Sequence, residues 1–364
     1  MILRIIPFVL ILIAVATPTA ASPASIEDIV DDVVAQHMTE KRIPGMSVAI
    51  VHEGRLIFSK GYGKASIEFN VPATAGTVYP ISSVSKIFAG LLAIRLATAG
   101  YLDLDESISK FVSNVPADKR SITVRHLLQH THGLEDFYRS DAYEIETGKS
   151  MKESTLEELI AWSLDQPLQH TPGAGWAYSL SGYILLARII EGVGEMSYTR
   201  LVQQYVFEPL DMIGTFGGSD AVITGRNPVL YELVGDGIVG HVTDFPPRVY
   251  AAGGLNMSVL EMAKLFVALA GEGFVDNEAK KELWNNPVLK NGDSANYGLG
   301  WFSYETSKKR WVVGHEGGGA SWVIYYPDSD LAVIALSNMS GARADVLPYE
   351  IARKVFAADL VRVD

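Results

Sequence analysis

Pro80-Ile81-Ser82-Ser83-Val84-Ser85-Lys86-Ile87-Phe88-Ala89-Gly90 sets a hydroxyl and an amine three residues apart where a polar turn becomes an apolar helix. Ser82 is placed to cap that helix by accepting from its first free backbone N–H groups. Ser83 then falls in the first turn, with Lys86 its neighbour on the same face, roughly 5–6 Å away between Cβ atoms. Ile87, Phe88, Leu91, Leu92 and Leu96 spread a wide apolar face behind them, so the helix is expected in the core. Burial disfavours a charged lysine, and a neutral lysine beside a serine hydroxyl is one route to an activated nucleophile. A helix cap followed by a snorkelling surface lysine satisfies the same pattern, because both residues are abundant. The chain repeats the spacing in Ser107-Ile108-Ser109-Lys110, after the acidic, turn-rich Gly100–Glu106, where a solvated surface is expected.

Working outward, the chain opens with Met1-Ile2-Leu3-Arg4 and an apolar run Ile5–Ala16 that ends in small residues at Thr17–Ala21. That is the pattern of a secretory signal peptide over residues 1–21, with an uncleaved anchor as the alternative. The run holds Pro7 and is short for a bilayer span. No cysteine is present, so neither a disulfide nor a lipid-modified cysteine is available, and a secreted or periplasmic protein without stable membrane insertion after cleavage is expected. With 30 basic against 42 acidic residues and no basic tract, nucleic acid and anionic membrane surfaces are excluded as partners. The remaining chain is 48% apolar over its length, uninterrupted by repeats or low-complexity linkers.

Ile26–Lys41 carries apolar residues at Ile26, Ile29, Val30, Val33 and Val34 with acids between, an amphipathic helix. Met46–His52 and Leu56–Tyr62, flanking Glu53-Gly54, read as a β-hairpin. From Leu102 to about Val242 the pattern is mainly helical pieces and loops, among them Thr123–His130, Thr155–Leu164, Ser181–Val193 and Tyr198–Val206. Strand character returns at Gly298–Tyr304, Trp311–Gly314, Ser321–Tyr326 and Leu331–Ser337, and Ala344–Leu360 reads as a closing helix. The expected fold is α+β: an antiparallel sheet built from both chain ends, flanked by helices, with an inserted helical region. The expected boundaries place an α/β part at about 22–105 and 245–364 and the helical insert at about 106–244.

Two further segments carry chemistry. Pro172-Gly173-Ala174-Gly175-Trp176-Ala177-Tyr178-Ser179-Leu180 brings Tyr178 through a glycine-rich loop to the start of a helix. A phenol there can shuttle a proton if nearby cations favour its anion, although it is also one of 16 tyrosines, most of which simply pack. Gly314-His315-Glu316-Gly317-Gly318-Gly319 enters a late strand, and glycines in a strand mark a place where a ligand or another backbone comes close. Such an edge can pair with an extended substrate and lend an N–H to an oxyanion. His52-Glu53-Gly54 repeats the tripeptide at the expected hairpin turn.

Ser83-Val84-Ser85-Lys86, then Tyr178-Ser179, then His315-Glu316-Gly317, in that order and at those separations, resemble the serine β-lactamase and penicillin-binding-protein family, nearest its class C β-lactamase, DD-peptidase and esterase branch. Gly61-Tyr62-Gly63, His126–Leu134, Ala252-Gly253-Gly254-Leu255 and Leu336-Ser337-Asn338 fit the same resemblance, which runs from about Ile26 to Phe356. It implies a β-lactamase/transpeptidase-like fold and a serine hydrolase without cofactor. Ser83 would be the acylated nucleophile, Lys86 its base or proton relay and Tyr178 the second acid/base. The backbone N–H groups of Ser83 and Gly318 would form the oxyanion hole. Candidate substrates are small molecules or peptides with a carbonyl centre: carboxylic esters, D-amino-acid peptides or β-lactams.

His315, Glu316, Gly317 and Leu180 would contact substrate. His315 stands where many relatives carry a lysine that meets the substrate carboxylate, and its part-time charge near neutral pH implies weaker or pH-dependent recognition. Leu180 replaces an Asn that relatives use to hold the substrate amide and the lysine. Leucine does neither, unless Ser179 or Ser181 substitutes. This departure counts against efficient β-lactam hydrolysis and keeps open a second class, a binding or regulatory protein on the same fold. Zinc on His126, His130 and His132 is disfavoured because no Glu follows as in His-Glu-x-x-His. The chain has no Gly-x-Ser-x-Gly elbow, and Gly61-x-Gly63 lacks the third glycine of a nucleotide loop.

Overall fold

Apolar runs from the two ends of the chain meet in one sheet. The computed structural model describes residues 25–138, 141–151, 153–212, 215–216, 229–242, 249–306, 309–343 and 346–356. The leader expected at residues 1–21 lies outside them. In chain order the elements are α1 (Ile26–Lys41), β1 (Gly45–His52), β2 (Arg55–Ser66), β3 (Val71–Pro72), β4 (Tyr79–Pro80), α2 (Ser85–Thr98), α3 (Val124–Leu128), α4 (Ala142–Thr147), α5 (Leu156–Asp165), α6 (Leu180–Gly194) and α7 (Tyr198–Val202). They continue with β5 (Thr215–Phe216), β6 (Val229–Val234), β7 (Gly237–Val242), β8 (Leu255–Met257), α8 (Val259–Ala270), α9 (Asn277–Trp284), β9 (Phe302–Glu305), β10 (Trp311–Gly317), β11 (Ser321–Tyr326), β12 (Leu331–Ser337) and α10 (Leu347–Phe356). No helix among the described residues is long and apolar enough to cross a membrane.

The main sheet has the order β3-β2-β1-β12-β11-β10-β9, antiparallel throughout. Its central pairing joins the two ends of the chain: Met46 faces Ser337 and His52 faces Leu331. The β1–β2 turn is made by Glu53 and Gly54, both at positive φ, as a two-residue hairpin that follows the sheet's twist requires. All seven residues of β12 are buried, because helices cover both faces. Ala49, Val51, Ile334 and Leu336 enter the core shared with α2, α6 and α8. Their alternate neighbours Val48, Ile50, Val333 and Ala335 pack with Val30, Val33 and Val34 of α1 and Ile351 of α10. Each such aliphatic side chain contributes about 1.5–3 kcal/mol by leaving water, so the period-2 alternation fixes the register.

α2 is apolar nearly all round, and eleven of its residues from Ser85 to Leu96 are buried. It lies against α6, α7, α9 and β10, so the helix that starts beside Ser83 is held from several sides. Three expected elements differ. The strand placed at Gly298–Tyr304 begins only at Phe302: Gly300 takes φ +85 and turns the preceding residues away. The helix placed at Tyr198–Val206 ends at Val202 and relaxes into a π-helical turn over Gln203–Phe207. The hairpin β6–β7 stands in a stretch read as helices and loops. The closing helix expected at Ala344–Leu360 is described over Leu347–Phe356.

Candidate active site

The turn into α2 is a 3-10 turn over Ser82–Val84, and Ser82 does not cap it. Ser82 lies inside the turn at φ +46, a left-handed conformation that costs a serine about 1–2 kcal/mol, and Ile81 takes the N-cap position without a side-chain cap. The kink is clamped on both sides. Ile81 N–H donates to the Leu255 carbonyl, and Ser321 Oγ donates to the Pro80 carbonyl. Leu255 N–H in turn donates to Ser85 Oγ. Ser83, next in line, stays half-buried.

Lys86 is wholly buried one turn further on. Its Nζ lies 3.5 Å from Ser83 Oγ and 2.5 Å from the carbonyl oxygen of Ala252, in the segment Ala252–Leu255. The first contact is long for a hydrogen bond and is of the kind that tightens when a substrate is bound. The decoy at Ser107–Lys110 forms a short surface turn whose lysine pairs with Glu106.

β10 closes the other side. A Cβ on Gly317 would stand 2.2 Å from the carbonyl oxygen of Ile81, so only glycine lets the strand lie against the nucleophile turn. Gly318, at φ +57, faces the same turn, and a Cβ there would stand 3.4 Å from Ser82 Oγ. The β10–β11 connection is held by Ala320 N–H donating to the Gly317 carbonyl and Gly341 N–H donating to the Gly318 carbonyl. Glu316 adds a side-chain tie, its carboxylate accepting from Gly319 N–H at 3.2 Å.

Tyr178 precedes α6, and Lys86 Nζ sits 4.8 Å from the centre of its ring. Residues that the sequence reading passed over hold this phenol in place. His130, fully buried, lies 4.4 Å ring to ring from Tyr178, and its Nδ1 accepts from Ser179 N–H. Tyr183 places its ring 5.2 Å from Lys86 Nζ and donates its hydroxyl to the Leu128 carbonyl. The cue for Tyr183 was its position one turn into the helix after Tyr178. Leu180 opens α6 with its N–H on Asp136 and its side chain packed partly against the core. Ser179 Oγ caps α6 by accepting from Gly182 N–H, and Ser181 Oγ donates to Asp136. Both hydroxyls are thus committed to the start of the helix, and the substitution for Asn at Leu180 entertained from the sequence finds them engaged.

His315 departs from the expectation of a part-time cation. It is buried, its pKa pushed down to about 3 by loss of solvent and then by the charge of Lys86. Nδ1 lies 2.6 Å from the Glu316 carbonyl, which only accepts, so Nδ1 carries the hydrogen and Nε2 accepts from the Tyr297 hydroxyl at 2.8 Å. Burial holds the Tyr297 phenol well above its usual pKa and keeps it a donor. A neutral imidazole with both nitrogens engaged is therefore what stands at this position. The other histidines also have structural tasks: His126 Nδ1 accepts from Thr123 N–H, and His132 Nδ1 from Leu134 N–H. Among the described residues no group of three or more His, Asp or Glu is arranged to hold a metal ion.

The site is thus Ser83 and Lys86 on α2, Tyr178 before α6, and the Gly317–Gly318 turn of β10, gathered around one half-buried hydroxyl. The sequence profile described as Beta-lactamase matches residues 30–356. The chain belongs to the Beta-lactamase family. Members of this family of serine hydrolases include close structural counterparts. The octameric penicillin-binding protein homologue from Pyrococcus abyssi superposes with a TM-score of 0.78 at 27% identity, over 90% of this chain and 77% of that one. EstCE1, a hydrolase with promiscuous acyltransferase activity, gives 0.78 at 21% identity, over 91% and 98%. Protein flp of Staphylococcus aureus (strain MW2) is 26% identical over 323 residues, 85% of this chain and 63% of its own length. The chain therefore spans somewhat less than two thirds of that family member.

Proposed function

We propose that this Beta-lactamase family member is a serine hydrolase that works through an acyl-enzyme on Ser83. The observation that carries the reading is the convergence of Ser83 Oγ, Lys86 Nζ, the Tyr178 ring and the glycine turn of β10 from three distant parts of the chain. Lys86 takes the Ser83 proton as Oγ attacks the substrate carbonyl. The backbone N–H groups of Ser83 and Gly318 stabilise the oxyanion, fixed donors in a site where water does not compete. Tyr178 passes a proton to the leaving group, and water guided by the same phenol then releases the acid and restores Ser83.

The proposed substrates are carboxylic esters and D-amino-acid peptides, with β-lactams turned over less efficiently because Leu180 offers no amide to substrate or lysine. We place the protein in an exported compartment on the strength of residues 1–21. A catalytically weakened binding protein is the second reading, and Leu180 with its engaged serine neighbours is what favours it. Treatment with a fluorophosphonate or a labelled penicillin, followed by mapping of the adduct, tests the two. The enzyme gives an adduct on Ser83 that Ser83→Ala abolishes, with turnover of p-nitrophenyl esters. A folded protein with neither adduct nor turnover supports the second reading.

A further inference from the structure

Strand β10 shows two chemically different faces. His315 and Gly317 point to the Lys86 side, whereas Glu316, directly opposite Trp322 on β11, points to the other. Strand β9 pairs with β10 only through Gly314, so among the described residues no strand pairs with His315–Gly317 along that edge. An extended substrate has a free rail there, and its successive groups alternate between the two faces. On the Glu316 face lies a pocket of about 330 Å³ walled by Phe302, Tyr304, Trp322 and Tyr349, with Gly319 and Glu316 at the turn and Arg343 also lining it.

The Glu316 carboxylate is not free to swing out of the way. It accepts from Gly319 N–H, one residue beyond Gly318, so its negative charge is anchored beside the proposed oxyanion donor. On the opposite face the matching position offers no compensating cation, because His315 is buried with both ring nitrogens engaged. A leaving group that departs from a carbonyl held between Ser83 and Gly318 passes this turn and meets fixed negative charge and aromatic surface. An anionic end is repelled by the first, while a neutral or cationic one suits both.

We propose that Glu316 is a specificity-determining residue: the site accepts esters and amides whose departing part is neutral or cationic, with an aromatic or alkyl body, and discriminates against those ending in a free carboxylate. This rests on the acyl-enzyme reading of Ser83.

The test is a set of aryl butyrates differing only in the para group of the leaving phenol, carboxylate, carboxamide or trimethylammonium, with each kcat/KM divided by the rate of alkaline hydrolysis. The carboxylate ester is expected to lag the carboxamide by about tenfold or more, a gap set by like-charge repulsion at a partly exposed site. Glu316→Gln keeps an oxygen to accept from Gly319 N–H and removes the charge, so the gap should shrink to within about threefold. Wild-type protein at low and high salt reads the same charge without a variant, because screening narrows the gap. Equal or faster turnover of the carboxylate ester overturns the proposal, as does a gap unmoved by both Glu316→Gln and salt. A carboxylate preference that Arg343→Ala abolishes also overturns it, and assigns the pocket to Arg343. Failure of the underlying reading looks different: all three esters are inert and Ser83 takes no fluorophosphonate adduct.

Discussion

Acid should unfold this protein through its buried histidines before its carboxylates titrate. His315 and His132 are both buried, and loss of solvent pushes each from an ordinary value of 6.5 down to about 3. In the unfolded chain each binds a proton below pH 6.5, while the folded state refuses it until about pH 3. The stabilising preference for the neutral rings is therefore fully present above pH 6.5 and is lost as the pH falls through the window between the two values. At pH 5 the loss relative to pH 7 is about 2 kcal/mol for each ring, or about 4 kcal/mol together. That is a large part of the roughly 5–15 kcal/mol of a typical domain. Urea unfolding followed by fluorescence of the six tryptophans, at pH 7, 6 and 5, measures it. His315→Asn still accepts from Tyr297 but cannot titrate. It should be less stable at pH 7, and its dependence on pH below 6 should be shallower by about 1.4 kcal/mol per pH unit. Parallel stability curves for wild type and variant between pH 6.5 and 4.5 would mean that His315 protonates freely in the folded state, and would refute the burial argument.

Lys86→Ala should slow fluorophosphonate labelling of Ser83 by about 10²–10⁴, the range for a positioned base; an unchanged labelling rate would remove Lys86 from the mechanism. Gly317→Ala would drive a methyl into the Ile81 carbonyl, costing about 1–3 kcal/mol. By moving the nucleophile turn it should slow labelling about a hundredfold, read from the labelling rate alongside the urea midpoint. Leu180→Asn should raise nitrocefin hydrolysis while losing some core packing, about 1 kcal/mol; nitrocefin turnover equal to wild type would show that Leu180 is not what limits β-lactam turnover.

The elements most legible in the sequence are those whose pattern is local. α1 starts at a Ser25 capping box and runs through Lys41, and β11 and β12 follow uninterrupted apolar runs between turns, so these three coincide with their expected bounds. Gly298–Trp301 carries the same apolar letters as a strand, but Gly300 bends it against the carbonyl of Lys86, a contact no local pattern reveals. β6 and β7 leave Leu233, Val234 and Val239 exposed, so their alternation of apolar and polar residues is blurred. Ser82 reads as a cap by type, yet its φ is set by β10 and Leu255 from far along the chain. Likewise the motif letters gather Ser83, Lys86, Tyr178 and Gly317 correctly, whereas the state of His315 depends on Tyr297, and the seating of Tyr178 on His130. Those neighbours exist only once the chain has folded.

The meeting of first and last strands has a consequence for how the molecule is made. β1 leaves the ribosome early, but its partner β12 is among the last segments synthesised, and the site strand β10 emerges just before it. A nascent chain therefore carries the β1–β2 hairpin with one backbone edge unsatisfied throughout translation, an invitation to mispairing. Closing so long a loop gives a high contact order, so assembly should be slow and largely post-translational, with the nucleophile turn shaped only when the final strands dock.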